Sequence, residues 1–418
     1  MDVIQPLLTF AFLGSVALLL AVRSVPFDER PWIRKTMIIA FAIRIAIAVF
    51  FEVFRDWRIF HEDSEGYEVI AVALSRSWWG TGPPLNLGDI NSGFSYLGGA
   101  ICFLLGPFKL NLALFNGLVG TLTAFLIYRA TRRFVHIRVA RMACTLVAFT
   151  PSMIMWSSIA LKDAVTTFLI VLALVSCMEL KSKFTLQGLA GTVLPIMAMQ
   201  PVRFYLVYFM MFAVLGSLLI DRGLNALTGV YKQLFLLGTI VAVFVLTGIS
   251  GRSIANTEHL SLEKLSAYRE GLALSARSGF AQDVDISTPG KALAFMPIGL
   301  ANLLFGPFPW QLTSIRALIA LPETAFWWVM VPSTIRGARF LAKRRLSEIS
   351  PVLLFTVTLS CAYSLMHGNI GSGFRQRSQI FVLFFIFTSV GWFQRRCRQA
   401  GIDEEHLLRQ ETAPAPAG

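Results

Sequence analysis

Charge is what this sequence has least of. Only 15% of its 418 residues are Asp, Glu, Lys or Arg, while 55% are hydrophobic; a soluble globular chain carries about 25% charged residues. That shortage excludes an ordinary soluble domain. Cysteine is scarce as well. The five, Cys102, Cys144, Cys177, Cys361 and Cys397, lie mostly inside apolar runs. No CxxC pair exists, so neither a disulfide framework nor a zinc site is indicated. The N-terminus lacks the basic region and A-x-A signal of a cleaved leader, so the apolar run to Val22 reads as an anchor. No internal repeat stands out, and a transporter is expected to show one.

What the chain does have is long apolar runs. Stretches such as "LLTFAFLGSVALLLAV" and "TTFLIVLALVSCM" approach the length of about 20 apolar residues that spans a bilayer as a helix. The expected fold is therefore all-α, a polytopic integral membrane protein whose partner is the lipid bilayer. The net charge of +13 is read through loop topology and anionic lipid rather than nucleic acid. Loops rich in Lys and Arg stay cytoplasmic. The clusters "YRATRRFVHIRVAR", "KSK" at 181–183, "RGARFLAKRR" at 336–345 and "RRCR" at 395–398 are placed inside on that rule.

Spans near 110–128, 142–160, 163–180, 186–201, 203–220, 232–250, 321–337, 350–366 and 379–393 then alternate without conflict. With two upstream, the expectation is about eleven transmembrane helices. Two shorter apolar segments, 93–106 and 290–310, read as re-entrant or interfacial half-helices. Residues 1–398 form one transmembrane domain with two outer loops, 55–92 and 251–290, and 399–418 is a disordered cytoplasmic tail. Within the second loop, "SLEKLSAYREGLALSARSGF" reads as an amphipathic helix capped by Ser261.

Ionisable residues at membrane depth are costly and are functional candidates by default. Glu62, Asp63, Glu65 and Glu68 crowd the first outer loop. The plainer account is a charged helix N-terminus, with Asp63 or Ser64 as the cap. The chemical account is a general base, or oxygen ligands for a divalent metal. Lys162 and Asp163 end "TPSMIMWSSIALKD" on the same side, either as an interfacial anchor and cap or as a second polar wall. Arg203, in "MQPVRFYLVY", offers a fork for phosphate or forms an ion pair with Asp163 or Asp63. His367, Arg375 and Arg377 lie in the Gly-rich turn "HGNIGSGFRQRSQ", where glycines let the backbone approach an anion; His367 is not expected to bind metal. Asp89 and Asn91 belong to a site or to a turn. Arg44 lies inside a span and is left to pair with a headgroup or another span.

These motifs resemble the GT-C superfamily of polytopic glycosyltransferases, and in particular bacterial relatives of the dolichyl-phosphate-mannose protein mannosyltransferases. The resemblance rests on D-S-x-x-Y in the first large outer loop, on P-S-x-x-x-W-S-S-x-x-L-K-D at the end of a later span, and on Arg-x-Arg before the final span. It covers most of residues 36–394. It implies a sugar donor on a polyprenyl phosphate, a glycan or protein acceptor, and an active site on the extracytoplasmic side of the cell (inner) membrane. It also implies Asp63 as the catalytic base, with Glu62 as the other choice, and Asp163 as the second acidic position. Arg375 and Arg377 would hold the lipid phosphate, with Lys162, Arg203, Tyr67 and His367 on the substrate. No cofactor is fixed, and a divalent metal is compatible. The chain departs from the family pattern in its short second loop, one extra early span and the absence of a D-x-D or E-x-D pair. These departures leave acceptor class and metal dependence open.

Single displacement at the anomeric carbon would invert it. The competing functions are a polymerase or ligase of lipid-linked glycans, a lipid or glycan transporter, and a scaffold subunit with a degenerate site.

Overall fold

The computed structural model describes residues 3–55, 62–88, 92–220, 238, 261–275, 279–281, 283–312 and 315–403. Of Glu62 and Asp63 only the backbone is described. Among the described residues the fold is all-α, with one isolated bridge between Gly279 and Asn369. The expected span 232–250, Asp89, Asn91 and the tail beyond residue 403 lie outside the described residues.

The first helices are α1 (Ile4–Arg23) and α2 (Arg30–Val53), followed by α3 (Glu62–Trp78), α4 (Gly93–Leu105) and α5 (Leu110–Phe134). Next come α6 (Ile137–Phe149), α7 (Pro151–Trp156), α8 (Lys162–Ser182) and α9 (Leu186–Leu219). Within 251–290 stands α10 (Leu262–Ser275), followed by α11 (Pro289–Phe305), α12 (Ile315–Arg344), α13 (Leu346–Met366), α14 (Ile370–Gln376) and α15 (Ser378–Gln399).

Among the described residues, eight helices are long and apolar enough to cross a membrane: α1, α2, α5, α8, α9, α12, α13 and α15. The difference from eleven has identifiable causes. Proline breaks the expected span 142–160: Pro151 sits at the first position of α7, after Thr150 has turned to extended backbone at ψ 129°. Spans 186–201 and 203–220 fall in the single segment α9, which leaves helical geometry at Arg203 (φ −151°, ψ 82°). Pro201, two residues earlier, lacks the N–H that would bond back to the preceding turn. The third is 232–250. The segments read as half-helices are α4 and α11, of 13 and 17 residues.

Two compact units divide the chain. The first takes residues 1–133, 137–172 and 198–204; the second takes 134–136, 173–197 and 205–418. In the first unit, Ala71 of α3, Phe94 and Cys102 of α4, Leu112 of α5, Val165 of α8 and Val202 of α9 share one buried cluster. Side chains of this kind contribute about 1.5–3 kcal/mol each when fully buried in a water-soluble protein; between helices in lipid, close packing carries more of the work. In the second unit, Trp327 of α12 packs on Phe381 of α15 at 4.3 Å between ring centroids. Hydroxyls of Thr334 and Thr388 join the same two helices at 2.7 Å. Leu262 and Leu265 of α10 pack on Ile286, Ala292 and Phe295. The expected cap is present, Ser261 Oγ accepting from Lys264 N–H at 3.3 Å.

Candidate functional site

The first unit builds its polar centre at the broken span. The chain between α7 and α8 must turn inside an apolar core, which strands carbonyls that lipid cannot satisfy. Arg44 of α2 reaches the last turn of α6, just before the proline break, and the Ser157 hydroxyl just after α7. Its Nε donates to Ser157 Oγ at 2.8 Å and its Nη1 to Ala40 O and Ala148 O at 3.0 and 2.9 Å. Asn116 of α5 donates to Ile159 O at 2.7 Å and Leu161 O at 2.8 Å. Gly120 makes room, since a Cβ there would meet Ser157 Cβ at 2.5 Å. Arg44 therefore has a definite role that its position in a span does not reveal: it solvates a backbone break.

That break fixes the start of α8. Lys162 is its first residue, partly exposed, and Asp163 sits in its first turn, 1% exposed. A helix N-terminus favours a carboxylate. Arg203, at the kink of α9, donates from Nη2 to Asp163 Oδ1 at 2.6 Å, and both side chains are buried. Asp163 is one of the partners expected for Arg203 from sequence. Tyr67 lies on α3 with its ring edge-on to Phe94, centroids 5.1 Å apart.

The acids lie on α3, which is helical from Glu62, the first described residue of this stretch, and includes Asp63 and Ser64. Glu68 is 4% exposed and pairs with Arg55 at 2.8 Å. Arg55 also donates to Glu52. Burial pushes the Glu68 carboxyl up to about 7, against the lowering pull of Arg55. Arg55 is a partner that the sequence pattern does not single out; its place just before the acids is the only hint. Among the described residues no three His, Cys, Asp or Glu side chains gather into a metal-sized group.

The second unit holds the basic residues. The stretch expected to be a turn is largely helical: α14 spans residues 370–376, and Asn369 Oδ1 caps it by accepting from Gly371 N–H at 2.8 Å. His367 ends α13, buried, with its ring 5.0 Å from that of Tyr363. Tyr363 O–H donates to Gln379 Oε1 at 2.7 Å, and Tyr205 lies 3.2 Å from Tyr363 through their hydroxyls.

Arg375 is half-buried in the last turn of α14. Arg377 differs sharply. It is 2% exposed, lies over the rings of Phe374 and Phe381 at 4.0 and 4.7 Å, and donates to Gly306 O and to Thr324 Oγ1, the latter at 3.1 Å. Its fork is occupied by the end of α11 and by α12. Arg269, which nothing in its local sequence marks, is equally buried on α10 and, among the described residues, donates to backbone carbonyls.

No family model and no curated protein is similar to the chain at the level of sequence. Solved structures are. The archaeal oligosaccharyltransferase AglB from Archaeoglobus fulgidus, in complex with an inhibitory peptide and a dolichol-phosphate, is similar at a TM-score of 0.48 and 13% identity, over 90% of this chain and 52% of that one. The apo form of the Archaeoglobus fulgidus oligosaccharyltransferase gives 0.47 and 14%, over 90% and 52%. The form tethered to an acceptor peptide containing the NVT sequon gives 0.45 and 14%, over 91% and 52%. The chain spans about half the length of the solved structures it matches.

Proposed function

We propose that the chain is a membrane glycosyltransferase that moves a sugar from a polyprenyl-phosphate-linked donor to an acceptor at the outer face of the membrane, with inversion. The observation that carries this is a contrast in charge. Asp163 of the first unit is bonded to its cation, Arg203, whereas Arg269 and Arg377 of the second hydrogen-bond to carbonyls and a hydroxyl and lie over rings, with the Glu323 carboxylate acting on Arg377 only through space, among the described residues. Positive charge left without a bonded carboxylate, in a region of low dielectric, favours an anion such as a lipid phosphate.

Roles follow from how each side chain is used. Arg375, partly exposed, holds the phosphate. Arg377 is a positioning residue, because its donors are committed to Gly306 and Thr324; it adds charge without touching the ligand. His367 and Tyr67 line the substrate. Arg203 positions Asp163, the second acid, with Lys162 beside it. Asp63 is the base, with Glu62 as the other choice.

In the reaction, the acceptor hydroxyl oxygen attacks the anomeric carbon as the bond to the phosphate oxygen breaks. The polyprenyl phosphate leaves with the bonding pair, and the hydroxyl proton passes to Asp63. Negative charge grows on the leaving phosphate, where the arginines lower its energy.

The test is transfer of labelled sugar from polyprenyl-phosphate donors in membranes containing the protein. The same assay is run on Asp63→Asn and Arg375→Ala at matched protein levels. Transfer lost in both is the expected outcome. Transfer unchanged in Asp63→Asn removes Asp63 as base and moves the role to Glu62 or Asp163. Transfer of whole oligosaccharides rather than single sugars selects the polymerase or ligase. Movement of the donor across the membrane without transfer selects the transporter.

A further inference from the structure

Arg269 is a fully buried guanidinium whose hydrogen bonds, among the described residues, go to backbone. Nη1 donates to Val284 O at 3.1 Å, and Nη2 to Phe280 O and Ala281 O at 3.3 and 2.9 Å. Its plane lies over Phe295 at 4.4 Å and Phe280 at 5.7 Å. Three diverging carbonyls and two rings suit the flat fork of Arg and not the point charge of Lys. The turn it grips has one weak backbone bond of its own, Val284 N–H donating to Ala281 O at 3.3 Å. Ala281 has φ 50°, a left-handed conformation that an L-residue disfavours. Arg269 bonds the carbonyl of that same residue.

From this turn, backbone contacts run directly to the basic segment. Phe280 N–H donates to Gly368 O at 2.9 Å, and Gly279 bridges Asn369. On the other side, Gly368 lies against α10 itself: a Cβ at Gly368 would meet Arg269 O at 2.3 Å. Asn369 then caps α14, whose last turn carries Arg375. α10, the turn and the start of α14 are thus one strapped assembly within the second unit, with Arg269 at its centre.

We propose that Arg269 is a positioning residue for the anion site of the second unit. It clamps the 280–284 turn onto α10, the clamped turn holds Gly368 and Asn369, and Asn369 sets the helix that presents Arg375. This rests on the phosphate-holding role given to Arg375 above. The amphipathic helix of the second outer loop is then part of the site's frame and not only a surface element.

The experiment uses the purified full-length chain in detergent. It reads two things: the affinity for undecaprenyl phosphate, and hydrogen exchange at the amides of Phe280 and Gly371. In Arg269→Met, exchange at both amides quickens by about tenfold or more while that of α5 stays unchanged. The dissociation constant rises about tenfold, and in the transfer assay KM for the donor rises with kcat nearly constant. Arg269→Lys restores part of the affinity.

Gly368→Ala removes no charge and forces the same contact apart, so it reproduces both effects even if Arg269→Met fails to fold. Exchange unchanged in both variants overturns the clamp. Faster exchange with unchanged affinity makes Arg269 a stability residue only and overturns its positioning role. Weaker affinity without faster exchange assigns the effect to lost charge and overturns it too. If the wild type does not bind undecaprenyl phosphate, or Arg375→Ala binds as well as wild type, the phosphate role of Arg375 falls. The exchange data then still decide the clamp on their own.

Discussion

Arg203 and Arg377 are both buried arginines next to apolar helices, and they are neutralised in opposite ways. Arg203, in the first unit, meets a carboxylate, Asp163, at 2.6 Å. Arg377, in the second, meets a carbonyl, a threonine hydroxyl and two aromatic faces. The first arrangement is close to electrically silent beyond a few ångströms, because the two charges cancel. The second has no carboxylate bonded to it, only Glu323 acting through space, so less of its charge is cancelled. Arg44 in the first unit resembles Arg377 in taking carbonyls, and Arg55 resembles Arg203 in taking carboxylates. Burial alone therefore says little about what an arginine does in this fold; the chemistry of its partner decides.

The sharpest way to break that distinction is to remove the carboxylate from the silent pair. Asp163→Ala strands Arg203 as a buried uncompensated charge, a change that costs about 3–5 kcal/mol. The expected outcome is a large fall in Tm in detergent. Replacing both partners, as Asp163→Ala with Arg203→Met, recovers much of the loss, because no lone charge remains. If the double variant is no more stable than Asp163→Ala alone, the pair is not acting as a unit.

Next in size is the pH dependence of the carboxylate-partnered Arg55 cluster. Burial raises Glu68 from 4.5 to about 7. The folded chain thus keeps a proton that the unfolded chain has released. Its contribution is complete below about 4.5 and is lost as pH rises through about 7, an effect on the order of 3 kcal/mol. Glu68→Gln removes the titration, so its Tm should change less than that of wild type between those pH values. A wild-type Tm that rises with pH across this window would contradict the raised Glu68.

Much of the fold is legible in the sequence because composition alone dictates it. The apolar runs of α1, α2, α8 and α15 are too long and too poor in charge to be anything but candidate spans. Pro151 and Pro201 are visible too, but whether a proline ends a span or bends it depends on neighbours. Arg44 satisfies the helix end before Pro151 and Asn116 the turn that follows α7, and neither is near them in sequence.

The site divides in the same way. The Asp163–Arg203 pair is legible as one of two alternatives, since a lone charge at membrane depth requires a partner. Arg375 and Arg377 look equivalent when 367–379 is taken as a turn. On a helix, residues two apart lie about 200° apart around the axis, so the two cannot face the same way. α14 ends between them, and only Arg377 is drawn inside. Arg269 is invisible for a different reason. Its acceptors are carbonyls, which every residue has, and no side-chain pattern announces them.

The smallest predicted effect separates those two neighbouring arginines. Arg377→Met keeps length and apolar contact with Phe374 and Phe381 but leaves Gly306 O and Thr324 Oγ1 without their donor, at about 1–3 kcal/mol. Part of that is offset, because a guanidinium no longer has to be buried without a bonded carboxylate. Arg375→Met costs less stability, since its side chain is half-buried where that of Arg377 is buried. Binding should run the other way. Arg375→Met removes a direct charge-assisted bond to the phosphate, and Arg377→Met removes only its more distant field. Measured together, Tm should fall more in Arg377→Met and affinity for undecaprenyl phosphate should fall more in Arg375→Met. Equal loss of affinity in two well-folded variants would mean that a carbonyl-bound arginine also reaches the ligand. The partner of a buried arginine would then no longer predict its role, and the division between Arg203 and Arg377 would lose its functional meaning.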